Sequence, residues 1–172
     1  MTYDLQPTLN GKLLFLRPIA AADFEALFAV ASDPGIWDQH PFPRYNGAAF
    51  AEFFHQAVES KSGLVVLDQS TNKMIGASRY YKNEEGHLSI GYTFLARSHW
   101  GGKFNRELKT LMLEHAFQYV SEIYFDIGEN NQRSRRAIEK IGASLVKLQM
   151  LKGQPYTLYR IDQESFRAGL NR

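Results

Sequence analysis

The chain has 172 residues, enough for one domain with a hydrophobic core, and its 44% hydrophobic and 22% charged residues are typical of a globular protein. Its 20 basic and 18 acidic residues give a formal net charge of +2, too even to indicate a nucleic-acid or membrane partner. The absence of cysteine excludes a disulfide framework, a thiolate metal site and a cysteine nucleophile.

The first part of the chain predicts a strand followed by two helices. Residues 12–18 form a mostly apolar run that ends at a proline, which predicts a strand. From Asp23 apolar residues recur at helical spacing as far as Ala31, and a similar pattern covers residues 47–61. Prolines and aromatic residues between these helices predict a loop at residues 36–45 with exposed aromatic side chains.

The rest of the chain alternates strand and helix patterns. The predicted elements are three antiparallel strands at 64–68, 74–81 and 88–95, a loop at 97–104, a helix at 105–120, a strand at 123–127, a helix at 131–141, a hairpin at 143–151 and 157–161, and a terminal helix after 162. No repeat or linker divides this order, so we expect one mixed α/β domain over residues 1–172. No signal-peptide pattern or bilayer-spanning apolar run is present, so we expect a soluble cytoplasmic protein.

The first candidate ligand site is the glycine-containing turn before the helix at residue 105. Gly101 and Gly102 allow a ligand to approach the backbone closely, and a helix start presents unpaired N–H groups and a positive dipole end, which suit an anion. Lys103 and Arg106 place two cations at the same end, where a helix alone disfavours them. A bound pyrophosphate would reconcile these features; the alternative is a tight turn with solvated cations.

A second helix start, after residue 130, has Arg133, Arg135 and Arg136 in its first turns. Three cations at the positive end of a helix conflict with the local rule, and such conflicts tend to mark functional sites. A phosphate-bearing ligand or RNA would resolve the conflict; the alternative is that the arginines point outward and pair with Glu129 and Glu139. Two such helix starts favour a ligand with several phosphates, while the motifs of nucleotide triphosphatases and dinucleotide enzymes are absent.

At these two segments the sequence resembles the GNAT superfamily of N-acetyltransferases and, within it, the branch that acts on ribosomal-protein N-termini and similar amines. Residues 100–103 look like the acetyl-CoA pyrophosphate loop of that family, and residues 131–134, followed by 139–142, look like its second signature. Residues 14–18 and 33–34 also fit the branch. The resemblance therefore covers nearly the whole chain.

The resemblance implies a mixed, mainly antiparallel central sheet flanked by helices, the acyl-CoA N-acyltransferase fold, with strands 88–95 and 123–127 splayed apart to admit acetyl-CoA. It also implies that an acceptor amine attacks the thioester directly while the enzyme positions both reactants, with CoA as a product. The implied acetyl-CoA-binding residues are Phe94, Leu95, Ala96, Trp100, Gly101, Gly102, Lys103, Phe104, Asn105, Arg106, Asn131, Arg133 and Arg136. The residues assigned to the acceptor are Trp37, His40 and Tyr92; the alternative for Trp37 is a hydrophobic cluster that fastens the loop at 36–45.

The catalytic residues depart from the family pattern. Ile138 stands where many members have a tyrosine that acts as the general acid, so Ser134 becomes the candidate acid. The alternative for Ser134 is that it caps the helix. Asn131 of the same motif is also assigned to catalysis. The glutamate that often precedes Gly-Tyr in the strand at 88–95 is also missing. The nearest titratable groups are His87, His99 and Glu107, and Glu107 is expected to support the loop or pair with a cation.

The acceptor expected from the resemblance is a primary amine, either a protein or peptide N-terminus or a small amine metabolite. One alternative is a catalytically decayed acyl-CoA-binding sensor or interaction domain, because two usual proton-transfer residues are missing. Another is an RNA-binding domain that uses the arginines, which the near-neutral charge disfavours. We expect no metal, since the five histidines lack metal-site spacing, and no nucleic-acid or membrane partner. Family analogy leaves a homodimer open.

Overall fold

The computed structural model describes residues 2–172, which fold into eight strands and five α-helices. In chain order these are β1 (Leu9–Asn10), β2 (Leu14–Pro18), α1 (Phe24–Ala31), α2 (Gly47–Glu59), β3 (Gly63–Asp68), β4 (Lys73–Lys82), β5 (Leu88–Leu95), α3 (Lys103–Ala116), β6 (Glu122–Gly128), α4 (Gln132–Lys140), β7 (Ser144–Leu151), β8 (Gln154–Asp162) and α5 (Gln163–Leu170). Every predicted helix and strand is present, and β1 is an addition that is too short to give a periodic pattern.

All eight strands belong to one sheet with the order β1-β2-β3-β4-β5-β6-β8-β7. Neighbouring strands are antiparallel except β5 and β6, which are parallel. The sheet is therefore mixed and mainly antiparallel, and the helices flank it, as predicted. All six residues of β3 are buried, which explains why its sequence is a continuous apolar run instead of an alternating one.

Helices cover the sheet on both faces and form two hydrophobic clusters. On one face α1 and α2 contribute Leu27, Phe50, Phe53 and Phe54. On the other face α3, α4 and α5 contribute Leu108, Met112, Leu113, Ile138 and Phe166. In α2 the buried side chains recur at positions three and four residues apart, so the aromatic periodicity of the sequence marks the face that packs on the sheet.

The strands β5 and β6 form an open wedge. Only one register pair joins them, Ser89 with Tyr124, although β5 continues to Leu95 and β6 to Gly128. Beyond that pair, the facing edges of the two strands have no ladder partner in each other. Backbone N–H and C=O groups in such an opening need another hydrogen-bonding partner, which an extended ligand can provide.

A β-bulge lies on β5 beside the wedge. Gly91 pairs with Arg79 of β4 and Phe94 pairs with Ala77, so two residues of β5 oppose one residue of β4. One of the two, Tyr92, has a φ of 54°, which is uncommon for a bulky residue. A bulge leaves a residue unpaired in the ladder and redirects a side chain. The backbone of Tyr92 is therefore not held by regular pairing with β4, and its side chain takes a direction that a regular strand would not give it.

Glu107 fastens the N-terminal strands to α3. Its carboxylate accepts the backbone N–H groups of Lys12, Leu13 and Leu14 at 3.0, 2.7 and 2.7 Å. A Cβ atom at Gly11 would lie 2.6 Å from the same carboxylate, so the turn between β1 and β2 approaches closely. Within residues 2–172 the hydrogen-bond partners of Glu107 are thus these amides. The expectation that Glu107 supports the loop at 97–104 or pairs with a cation is wrong.

Candidate functional site

The start of α3 is built to present backbone N–H groups. Gly101 and Gly102 have φ values of 108° and 107°, a region that glycine adopts without steric cost. Gly102 is the N-cap and has no side chain to accept a hydrogen bond, and its carbonyl accepts the N–H of Arg106 at 2.8 Å. The N–H groups of residues 103–105 therefore lack intrahelical partners and point out of the helix start, where an anion would be stabilised.

The two cations near this helix start differ in their freedom. Lys103 is exposed, and its Nζ lies 5.0 Å from the centroid of the half-buried Phe104 ring. Arg106 is also exposed, but its Nη2 donates to the carbonyl of Leu170 at the end of α5, at 2.9 Å. Beside them Asn105 is half-buried. Lys103 is consequently the cation with the greater freedom to reach a ligand at the helix start.

Trp100 brings the two sequence motifs together. Its Nε1 donates to the carbonyl of Leu95 at the end of β5, at 3.0 Å, and the guanidinium carbon of Arg133 lies 4.2 Å from its ring centroid. Arg133 also forms an ion pair with Asp38, with a distance of 2.6 Å between Nη2 and Oδ1. Phe94 and Leu95 are buried. The start of α4, the end of β5 and the loop at 36–45 therefore meet at Trp100.

The remaining arginines of α4 have separate environments. Arg135 donates to the hydroxyl of Tyr159 at 3.1 Å and to the carbonyl of Glu129 at 2.9 Å, and the Tyr159 hydroxyl in turn donates to Glu139 at 2.5 Å. Arg136 is exposed and forms no hydrogen bond or ion pair within residues 2–172. Arg135 thus has a structural role, whereas Arg136 is free to contact a ligand.

The candidate acid Ser134 lies in the first turn of α4. The Oδ1 of Asn131 accepts the Ser134 N–H at 3.3 Å, so Asn131 is the N-cap of this helix. The hydroxyl of Ser134 is half-buried and has no hydrogen-bond partner in the described residues 2–172. Ile138, at the position of the usual tyrosine, is 2% exposed and packs in the α3-side core. The catalytic assignments of Ser134 and Asn131 stay predictions.

Of the other titratable groups suggested by sequence, His99 is held by a carboxylate. Its Nε2 lies 2.7 Å from Oδ2 of Asp68, and its Nδ1 contacts the Ser98 hydroxyl. The hydrogen bonds from His99 and Ser70 lower the pKa of Asp68 to about 2. His87 is exposed and stacks on Tyr124, with 4.4 Å between ring centroids. Both ring nitrogens of His99 therefore have partners in the structure, Asp68 and Ser98.

The loop at 36–45 differs from expectation at Trp37, which is only 4% exposed. Its Nε1 donates to the carbonyl of Ala31 at 2.8 Å, and its ring packs in the core under α1 and α2. The expectation of an exposed Trp37 is wrong and the alternative, a hydrophobic cluster that fastens the loop, is what the structure shows, because the indole both fills this core and satisfies a carbonyl at the end of α1. Burial and the neighbouring charge of Arg44 lower the pKa of His40 to about 3, so His40 is neutral at pH 7.

Tyr92, which the sequence analysis assigns to the acceptor, is the centre of a cluster whose other members the sequence analysis missed. The guanidinium carbon of Arg79 lies 3.6 Å from its ring centroid, and the Tyr81 ring packs against it edge-on at 5.2 Å. The Tyr81 hydroxyl donates to Asp126 at 2.7 Å, and the side-chain amide of Gln149 donates to the other carboxylate oxygen at 2.6 Å. The sequence does contain one signal for this cluster, because residues 79 and 126 are charged residues within otherwise mostly apolar strands.

A buried amine lies behind the bulge, on the α3 side of the sheet. The Nζ of Lys109 donates to the Thr93 hydroxyl at 2.8 Å, and that hydroxyl lies 2.8 Å from the Ser78 hydroxyl. Burial lowers the pKa of Lys109 to about 7.

Within residues 2–172 no group of three or more histidine, aspartate or glutamate side chains is arranged to hold a metal ion. None of the helices of those residues has the length and apolar character to cross a membrane.

Comparisons with known proteins agree with this geometry. The family model described as Acetyltransferase (GNAT) domain matches residues 14–144. The fold is similar to that of a GCN5-related N-acetyltransferase from Brucella melitensis, with 18% identity, a TM-score of 0.81 and coverage of 96% of this chain and 83% of that one. No protein in a search of curated proteins matched the sequence.

Two further solved structures have the same architecture. One is a probable acetyltransferase of the GNAT family from Chromobacterium violaceum, with 18% identity, a TM-score of 0.80 and coverage of 94% of this chain and 89% of that one. The other is an acetyltransferase from Agrobacterium tumefaciens, with 22% identity, a TM-score of 0.74 and coverage of 91% and 95%. At these identities the likeness establishes the fold.

The buried amine predicts a pH-dependent stability. The pKa of Lys109 falls from 10.5 in the unfolded chain to about 7 in the folded chain. Between pH 7 and 10.5 the unfolded chain therefore binds a proton that the folded chain lacks. The free energy of unfolding should rise with pH in this range, by at most about 1.4 kcal/mol per pH unit. Lys109→Met should remove this rise. Urea unfolding from pH 7 to 9.5 measures it, with the exposed Lys140→Met as control. A stability difference between wild type and Lys109→Met that is independent of pH would contradict the assignment.

Proposed function

The chain belongs to the acetyltransferase (GNAT) domain family, and on that premise we propose that it transfers an acetyl group from acetyl-CoA to a primary amine. The observation that carries the proposal is the wedge between β5 and β6, with the uncapped start of α3 beside the end of β5. The family indicates an acyltransferase; the acetyl group and the amine acceptor are our proposal.

The residues of the wedge suit acetyl-CoA as a co-substrate, which supplies the activated acyl thioester. We assign the pantetheine to the open edge of β5 from Thr93 to Ala96, whose backbone groups have no ladder partner in β6. The diphosphate fits the N–H groups that follow Gly101, with Lys103 as the nearby cation. Arg133 and Arg136 on α4 are the other cations assigned to this ligand.

Transfer requires that the protein stabilise charge on the thioester oxygen and move two protons. The bulge at Tyr92 interrupts the β4–β5 ladder, so its backbone is suited to donate an N–H to that oxygen. Asp126 is half-buried on the Tyr92 side of the sheet and is our candidate for accepting the proton of the amine, directly or through water. Ser134 is the candidate for donating a proton to the departing thiolate.

A second candidate function is an acyl-CoA-binding sensor or interaction domain that has lost catalysis. It is favoured by the buried Ile138 at the position of the usual acid and by the Ser134 hydroxyl, which has no hydrogen-bond partner within residues 2–172. Both functions require acetyl-CoA to bind, and only the enzyme releases thiol in the presence of an amine. Thiol release with a panel of amines therefore separates them.

Other assignments are proposals as well. We propose that the acceptor is a protein or peptide N-terminus, as in the ribosomal-protein branch, or a small amine metabolite, and that the protein works in the cytoplasm without a nucleic-acid or membrane partner. Self-association as a homodimer is supported by the edge strand β7, where Leu148 and Met150 are 63% and 65% exposed. Gel filtration with light scattering tests that assembly.

The wedge predicts a defined effect of Gly101→Val on acetyl-CoA binding. Valine disfavours a φ of 108°, so the turn should reorganise and the Kd for acetyl-CoA should rise at least about tenfold. Isothermal titration calorimetry measures the Kd. The matched control is Gly86→Val, since Gly86 also has a positive φ, 83°, and open space around it but lies in the β4–β5 turn. Unchanged affinity in Gly101→Val would contradict the proposed loop.

The acid assignment predicts a kinetic change without a binding change. Ser134→Ala should lower kcat by about 10- to 100-fold while the Kd for acetyl-CoA stays the same, because the hydroxyl acts on the departing thiolate and not on the bound ground state. Thiol release over a full pH range measures kcat. An unchanged kcat across that range would remove Ser134 from the reaction and leave the capping role.

A further inference from the structure

Two arginines converge on one aromatic surface beside the bulge. The guanidinium carbon of Arg79 lies 3.6 Å from the Tyr92 ring centroid, and that of Arg44 lies 5.9 Å from the same centroid. Arg44 also lies 4.7 Å from the Phe53 centroid and 5.7 Å from the Trp37 centroid. Arg79 is 6% exposed and Arg44 is half-buried. Two cations thus share mostly aromatic, partly buried surroundings.

No carboxylate neutralises this pair. Neither arginine forms an ion pair within residues 2–172, and the buried Nε of Arg79 has no hydrogen-bond partner there. Burial lowers the pKa of Arg79, and the groups that oppose this effect are the phenols of Tyr92 and Tyr81.

Arg44 forms no ion pair within residues 2–172 either, and its side-chain hydrogen-bond partner is His40, with 3.4 Å between Nη1 and Nε2. Burial lowers the pKa of Arg44 first, and the charge of Arg79 lowers it further. The opposing groups are the phenols of Tyr156 and Tyr92 and, with the smallest effect, the exposed Glu52 of α2. The two guanidiniums therefore repel each other in largely buried surroundings, and neither forms an ion pair within residues 2–172.

A buried charge without a partner is costly, and proteins keep such groups mainly where a ligand supplies the opposite charge. Guanidiniums suit this role because their planar donors match the oxygens of a carboxylate or phosphate. Stacking on Tyr92 fixes the plane of Arg79 while the edge of the guanidinium stays able to donate. The two guanidiniums therefore have the chemistry of an anion site.

The position of the pair separates it from the site assigned to the CoA diphosphate. Arg79 pairs with Gly91, four residues before β5 ends at Leu95, which corresponds to about 13 Å along the strand. The start of α3 lies beyond that end. Close to the pair on the same side is Asp126, which is linked to Tyr92 through Tyr81. Two cations and one carboxylate therefore lie on the same side of the sheet near the bulge.

We propose that Arg44 and Arg79 bind a carboxylate of the acceptor, so that the substrate is an amino carboxylate whose amine and carboxylate are a few bonds apart. The carboxylate neutralises the arginine pair while the amine faces the bulge and Asp126. A free amino acid presents this chemistry, and so does a peptide that begins with an acidic residue. This inference rests on the acyl transfer proposed above.

The experiment compares acceptors that differ only in charge. Thiol release is measured with a panel of L-amino acids, with the corresponding amino acid amides, with aminophosphonates, and with dipeptide amides that begin with aspartate or glutamate. The best carboxylate acceptor should exceed its amide in kcat/KM by at least about tenfold, because charge-assisted hydrogen bonds are lost in the amide. A larger rate with the aminophosphonate than with its carboxylate would overturn the carboxylate assignment, and the dipeptides identify which source of the carboxylate is used.

The variants Arg79→Met and Arg44→Met distinguish ligand binding from a structural role. Each should bring the ratio of kcat/KM between carboxylate and amide close to one, whereas the exposed Arg167→Met of α5 should keep the wild-type ratio. Without ligand, Arg79→Met should melt no lower than wild type, because it removes a buried unpaired charge. A lower Tm together with equal losses for both acceptors would show a structural role and overturn the proposal.

The outcomes also separate this inference from the proposed function. Thiol release that is equal for carboxylates and amides overturns the inference and leaves acyl transfer intact. If wild type releases no thiol with any amine, acyl transfer fails and the anion site is measured directly by thermal shift. N-acetylated amino acids should then raise the Tm of wild type, with or without CoA, more than that of Arg79→Met, and the same shift in both proteins would overturn the site.

Discussion

The structure is organised around the place where the strands β5 and β6 stop pairing. These neighbours form one register pair, Ser89 with Tyr124, and then diverge inside an otherwise continuous sheet. Backbone groups exposed in such a gap must find partners, and a ligand with its own amide groups can supply them. The glycine turn before α3 lies next to this gap and adds uncapped N–H groups, so an extended donor site and an anion site are adjacent.

The two sides of the sheet near the gap have different electrostatic characters. On the α3 side the amine of Lys109 is buried behind the bulge and bonded to the Thr93 hydroxyl. On the other side Arg44 and Arg79 share the ring of Tyr92. The bulge consists of Tyr92 and Thr93, whose side chains lie on opposite faces of the sheet. It therefore relates the donor gap to the pocket that we assign to the acceptor.

The periodic part of the fold was predictable from sequence, and the long-range pairs were not. Apolar spacing located the helices and strands because burial repeats with their geometry, and the two glycines marked the turn before α3. In contrast, Arg133 lies against Trp100 and Asp38, partners that no local pattern connects to it. Trp37 looked like a surface aromatic in a proline-rich loop, yet its indole completes a core that only the packed helices create. The sequence analysis did not identify Arg79 and Asp126, whose only local signal is a charge within an apolar strand.

Hydrogen exchange with and without CoA tests the central claim, that an acyl-CoA ligand occupies the gap between β5 and β6. Saturating CoA should slow exchange at the amides on the open edge of β5 and in residues 101–106, because the ligand would supply partners that the protein lacks there. The β4–β5 turn around Gly86, which lies outside this site, should be unaffected. Unchanged exchange in residues 91–106 at saturating CoA would contradict the account.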